Sequence, residues 1–115
     1  NVVPVSVLGA GRLKAKHVPH EMAAPPAMNG VGESGFLVVR PEFLRFLDNP
    51  GEADNHVVGR LYNEYALGSR IQYQVRVGEL VFVLEKLRHE AFAGGLDQEV
   101  TIGWNAADSI VVPDR

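Results

Sequence analysis

Lys14, Lys16, His17 and His20 are the first residues of the chain whose types and spacing could do chemistry. The two lysines follow Gly9-Ala10-Gly11, and a glycine-rich turn beside a lysine is the arrangement that cradles phosphate in nucleotide-binding loops. Such a loop ends in Gly-Lys-Ser/Thr and opens a helix. Neither feature is present, so the stretch reads as a turn between strands. His17 and His20 have H-x-x-H spacing, but Pro19 blocks the helix that would set both imidazoles on one face. They read as strand-end and loop histidines, with His56 and His89 as isolated surface residues. Glu85, Glu90, Asp97 and Asp108 have no evident partners for paired acid and base work. Ser34 and Ser69 lack a neighbouring base or a nucleophile elbow. No catalytic carrier and no metal site emerges, and the chain is expected not to be an enzyme.

Three other features carry weight. Arg40-Pro41-Glu42 places an arginine and a carboxylate at a strand end on a rigid turn, as an ion pair or a partner contact. Leu67-Gly68-Ser69 lies between two strands, where Ser69 offers a hydroxyl and a backbone N–H to an oxyanion, or simply completes a hairpin turn. Trp104, the single Trp, closes an alternating run (Val100, Ile102, Trp104) and reads as a core or interface anchor.

These residues need strands to hold them. Ile71, Tyr73, Val75 and Val77 alternate with Gln72, Gln74 and Arg76, the period-2 signature of a strand with one face buried. Gly78-Glu79 then suits a type II′ turn, because Gly reaches positive φ without a Cβ clash. That turn predicts the pairs Val77 with Leu80, Val75 with Phe82 and Tyr73 with Leu84. Val81 and Val83 fall on the other face, which predicts a central strand covered on both sides. Residues 1–8 read as a strand that Pro4 demotes to an edge or a bulged one, and Arg12 to Val18 as its hairpin partner, with Leu13, Ala15 and His17 on one side. Pro19 to Ser34 is a long surface loop, Gly35 to Val39 a short strand, and Pro41 opens a helical turn through Phe43, Leu44 and Phe46. Strands recur at Val57 to Tyr65, Gln98 to Trp104 and Ile110 to Val112. The total is about eight or nine short strands and no long helix, an all-β barrel or sandwich.

The 115 residues suffice for one core, so residues 1–115 are read as one module. With 11 basic and 14 acidic side chains the formal charge is −3, which argues against nucleic acid even though Arg60, Tyr62, Tyr65 and Tyr73 are present. The absence of Cys removes disulfides, thiolate metal sites and a Cys nucleophile. No apolar run approaches a membrane span. A start within a strand-like pattern, without initiator Met or basic leader, is expected of a segment of a longer protein.

The order FLVVRPE, GRLYNEYALGSRIQYQVRVG, LDQEVTIGWNAADSIVV resembles the TOBE region that follows the nucleotide-binding domain in ATPase subunits of ABC importers, in the spermidine/putrescine and ferric-iron branches. Phe36 to Glu42 matches the family's strand ending in (I/V)RPE. Gly59, Tyr65, Leu67, Gly68, Ser69, Tyr73 and Val75 match its G.V....YLGS...Y.V run, and Val100, Ile102, Trp104 and Val111 the last motif. Asn105-Ala106-Ala107 departs from it by lacking the Pro after the Trp. The likeness covers the chain from Gly35 onward.

The resemblance implies an oligonucleotide/oligosaccharide-binding-like (OB-like, or MOP-like) barrel. It implies a non-catalytic regulatory and dimerisation domain, peripheral on the cytoplasmic face of the plasma membrane. A missing N-terminal domain would bind ATP and Mg, and a permease would be the membrane partner. Exposed strand edges predict a homodimer. The alternative is a free-standing module for molybdate or tungstate, with Ser69, Arg70 and Lys86 as ligands. The candidate ligand or interface residues are thus Arg40, Glu42, Ser69, Arg70, Lys86 and Trp104.

Overall fold

The computed structural model describes residues 1–9, 11–26, 28, 31–92 and 94–114. Ala10 of the predicted 9–11 turn and three positions of the predicted 19–34 loop lie outside the described residues. The strands are β1 (Val2–Gly9), β2 (Arg12–Ala15), β3 (Met22–Ala23), β4 (Ser34–Val39) and β5 (Arg45–Phe46), then β6 (Asn55–Leu67), β7 (Arg70–Val77), β8 (Leu80–Leu87), β9 (Glu99–Trp104) and β10 (Ser109–Pro113). They form two five-stranded sheets, ordered β10-β4-β1-β2-β3 and β5-β9-β6-β7-β8. The described residues contain no α-helix, only short 3-10 turns, and the curled sheets make an OB-like barrel.

The β7–β8 hairpin has the predicted register: Val77 opposite Leu80, Val75 opposite Phe82, Tyr73 opposite Leu84. Gly78 takes φ +60°, and a Cβ there would lie 2.5 Å from the His17 ring, so only glycine fits. Tyr73, Val75, Val77, Phe82 and Leu84 are all buried, and each fully buried apolar side chain of this size contributes about 1.5–3 kcal/mol of transfer free energy. They join Leu13, Leu37, Leu61, Ile102 and Trp104 in one core shared by both sheets. Trp104 of β9 reaches Phe82 of β8, rings 6.1 Å apart, although β6 and β7 separate those strands in the sheet. Curling of the sheet brings them together.

Several strands sit elsewhere than their sequence predicts. β8 is an edge strand and not a central one, and Val81 is 43% exposed. The Asn1 side chain guards part of this edge: Val83 N–H donates to Asn1 Oδ1 (2.5 Å), and Asn1 Nδ2 donates to the carbonyls of Val83 (2.9 Å) and Val39 (3.0 Å). β1 is central and not an edge. Val39 N–H donates to the Asn1 carbonyl and Val7 N–H to that of Glu33, so odd residues of β1 bond toward β4 and even ones toward β2. Pro4 is even, and the β2 ladder begins only at Val5, so the missing N–H costs no bond. The bulge in β1 lies between Val7 and Gly9. β2 ends at Ala15, because His17 is left-handed (φ 70°) and turns the chain. The 3-10 turn after Arg40 covers only Pro41–Phe43, freeing Arg45–Phe46 to pair with β9. With Met22–Ala23 pairing on β2, the strand count among the described residues becomes ten.

Candidate functional site

A concave surface of about 610 Å³ lies at the open end of the β1–β2 hairpin and is lined by Ser6, Lys14, Ala15, Lys16, His17, Val18 and Pro19. Ser6 and Lys14 are direct partners across the ladder. Alternation buries Leu13 and Ala15 and turns Lys14 to the other face, and Lys16 follows, exposed, in the turn beyond the strand end. The left-handed His17 then folds the chain back, with Val18 N–H donating to the Ala15 carbonyl at 3.3 Å. Lys14 Nζ donates to the Val18 carbonyl, which fixes one ammonium in the wall. No carboxylate lines the cleft; Glu79 meets His17 Nε2 from outside it, at 3.5 Å. A hollow with two ammonium groups, a hydroxyl and an imidazole attracts anions.

The sequence candidates Glu42, Arg70 and Lys86 meet in a different, smaller cleft of about 300 Å³, together with Glu85 and Glu90. Arg70 Nη1 is bonded to Glu85 Oε1 at 2.7 Å, and that bond and charge raise the guanidinium above its ordinary value. Burial pushes the Lys86 ammonium down, opposed by Glu90 and reinforced by Arg45. Three carboxylates against two cations make this cleft unfavourable for an oxyanion. Ser69 is outside it. Gly68 has φ +72° in a two-residue β6–β7 turn, and the Ser69 carbonyl accepts the Arg88 N–H (2.9 Å) while Arg88 Nη2 donates to the Gly68 carbonyl (2.8 Å). Of the Ser69, Arg70, Lys86 set, Arg70 and Lys86 thus share a cleft that Ser69 does not line. Arg40 and Glu42 form no ion pair among the described residues, because the turn sends Arg40 to a cleft with Phe43 and Ile110. Trp104 has no exposed surface and sits in the core.

Histidines read as unconnected are brought together. His20 and His56 stack with centroids 4.3 Å apart, and His20 Nε2 lies 2.8 Å from the His56 carbonyl. No cluster of three or more metal-ligating side chains occurs among the described residues. Burial, then the neighbouring His20, lower the His56 pKa from 6.5. A histidine with a depressed folded pKa binds fewer protons folded than unfolded, so its contribution is full above the unfolded value and is lost as pH falls below it. His56→Gln is expected to flatten the acid side of a thermal-stability profile between about pH 7 and pH 5 relative to wild type; an unchanged slope would remove this role.

Fold and clefts together define a small OB-like β-barrel of the kind that binds or regulates. Residues 37–112 match the TOBE domain family, about two-thirds of the chain, and the chain belongs to that family. The TOBE domain is a non-catalytic binding or regulatory module. A crystal structure of the cytoplasmic molybdate-binding protein ModG, in a PEG-grown form with molybdate bound, shares the fold with a TM-score of 0.78 and 11% identity, covering 99% of this chain and 96% of that one. No curated protein matches the chain in sequence. No helix among the described residues is long and apolar enough to cross a membrane.

Proposed function

We propose that this chain is a free-standing type of oxyanion-binding TOBE module, taking a tetrahedral dianion of the molybdate or tungstate class in the β1–β2 cleft. The observation that carries it is the convergence of Lys14, Lys16, His17 and Ser6 on one hollow with no lining carboxylate. The hydroxyl and imidazole supply directional hydrogen bonds, and the ammonium groups supply the charge. The extent of the fold shared with a protein whose crystals held molybdate supports the same reading. Calorimetric titration with molybdate and with tungstate is expected to show saturable binding, weakened at least tenfold in the Lys14→Gln/Lys16→Gln double variant. Absence of heat with both anions, or equal affinity in the variant, would overturn it.

A second reading has a specific observation in its favour. The outer face of β1, β4 and β10 carries two apolar rows, Val2-Val38-Ile110 and Pro4-Phe36-Val112, with Val2 62% and Ile110 57% exposed. Such a face suits pairing with a second copy, as in a regulatory and dimerisation domain of an ABC importer ATPase subunit. In that setting a separate nucleotide-binding domain carries ATP and Mg, a permease is the membrane partner, and the module sits on the cytoplasmic side.

A further inference from the structure

The β6–β7 ladder sets Arg60 directly opposite Arg76. Like charges placed so are destabilising in a sheet unless something between them is negative. Among the described residues neither guanidinium has an ion pair. Glu99 is Arg60's ladder neighbour on the other side, yet Arg60 Nη1 donates instead to the Asp97 carbonyl. The backbone fixes that carbonyl in place, since Asp97 is left-handed (φ 63°) and its N–H donates to the Leu61 carbonyl at 2.6 Å. Leu61 N–H in turn donates to the Gln98 carbonyl at 3.0 Å.

That staple lies where β6 bulges. The register shifts between Leu61 and Asn63, so Tyr62 is the extra residue, and a bulge re-aims the side chain it inserts. Tyr62 is directed beneath Arg76, whose Cζ stands 4.7 Å from the ring centroid. The ring holds one guanidinium by a cation–π contact and the Asp97 carbonyl holds the other. Arg60, Tyr62, Arg76, Gly78 and Asp97 line a cleft of about 380 Å³.

We propose that this cleft binds a phosphate dianion, free or as a monoester. Guanidinium forks match phosphate oxygens bidentately, and two of them neutralise a dianion whose arrival relieves the repulsion between them. Asp97 also lines the cleft, so two guanidinium groups stand there against one carboxylate. This cleft shares no lining residue with the β1–β2 cleft, although its Gly78 packs against the His17 ring of that cleft.

The test is a two-dimensional NMR titration of the arginine Nε–Hε and Tyr62 signals with inorganic phosphate and, separately, with phenyl phosphate. Saturable shifts at Arg60, Arg76 and Tyr62 are expected, with Kd raised at least tenfold in Arg76→Gln and unchanged in Lys14→Gln/Lys16→Gln. Equal affinity for the two probes assigns the free ion and tighter binding of phenyl phosphate assigns an ester; both uphold the site. Arg76→Gln should be no less stable than wild type without phosphate, which separates lost binding from lost structure. Shifts spread evenly over all arginines, no shifts, or wild-type affinity in Arg76→Gln would overturn the proposal.

Discussion

Replacing Trp104 with Ala should lower the free energy of unfolding by about 3–5 kcal/mol, the range for removing a fully buried large aromatic. Trp104 ends β9 and has no exposed surface, and its ring lies against Phe82 on the strand at the opposite edge of the same sheet. Its loss opens a cavity at the contact that keeps the sheet curled. Because domains of this size are stable by about 5–15 kcal/mol, the variant should be marginal. Trp104→Phe should cost far less. Among the described residues the indole Nε1 has no hydrogen-bond partner, so phenylalanine sacrifices volume but no polar contact seen there. Urea unfolding followed by far-ultraviolet circular dichroism checks both variants, since the fluorescence of the single Trp is lost with it. A loss below about 1 kcal/mol for Trp104→Ala would mean that the core closes without this contact.

Asn55→Ala should be the second most damaging change, at about 2–4 kcal/mol, for a reason of polarity rather than volume. Asn55 is 2% exposed and clasps Ala23 in both directions: Ala23 N–H donates to Oδ1 at 2.7 Å, and Nδ2 donates to the Ala23 carbonyl at 2.9 Å. The amide thereby fastens β3, in the first sheet, to β6 in the second. Alanine leaves the two backbone groups of a half-buried residue without partners. β3 pairs with β2, which carries Lys14, so the same variant should also weaken oxyanion binding. Hydrogen exchange is expected to show faster exchange at Ala23 and through β2, with little change in the β7–β8 hairpin. Wild-type protection at Ala23 would contradict the clasp.

The β7–β8 hairpin is legible in the sequence because local rules suffice: alternation sets the faces and Gly78 sets the register. Its place in the sheet is not. Val81 and Val83 resemble the pattern of a strand covered on both sides, but whether a strand is central depends on partners distant in sequence. Pro4 misleads in the opposite direction, since its harm depends on where the neighbouring ladder begins. The TOBE relationship is legible from motifs in β4, β6–β7 and β9–β10, where turn and packing demands restrict residue choice.

The candidate site is less legible. Lys14 and Lys16 stand out beside the Gly9–Gly11 turn, but the cleft arises from the left-handed His17 and the return of the chain at Val18. Nothing in the spacing of a single histidine announces that backbone angle. Arg70 and Lys86 are brought close by the hairpin, yet Glu85 and Glu90 arrive with them and reverse the electrostatic sense. His20 and His56 come together only through the path of the chain between β2 and β3, which no periodicity describes.

The most direct measurement is anomalous diffraction at the tungsten edge from crystals grown with tungstate at a concentration that saturates the calorimetric titration. The predicted result is an anomalous peak in the cleft bounded by Ser6, Lys14, Lys16 and His17. A peak beside Arg70 and Lys86 with none in that cleft, or no peak on the protein, would contradict the assignment of this TOBE module as an oxyanion binder at β1–β2.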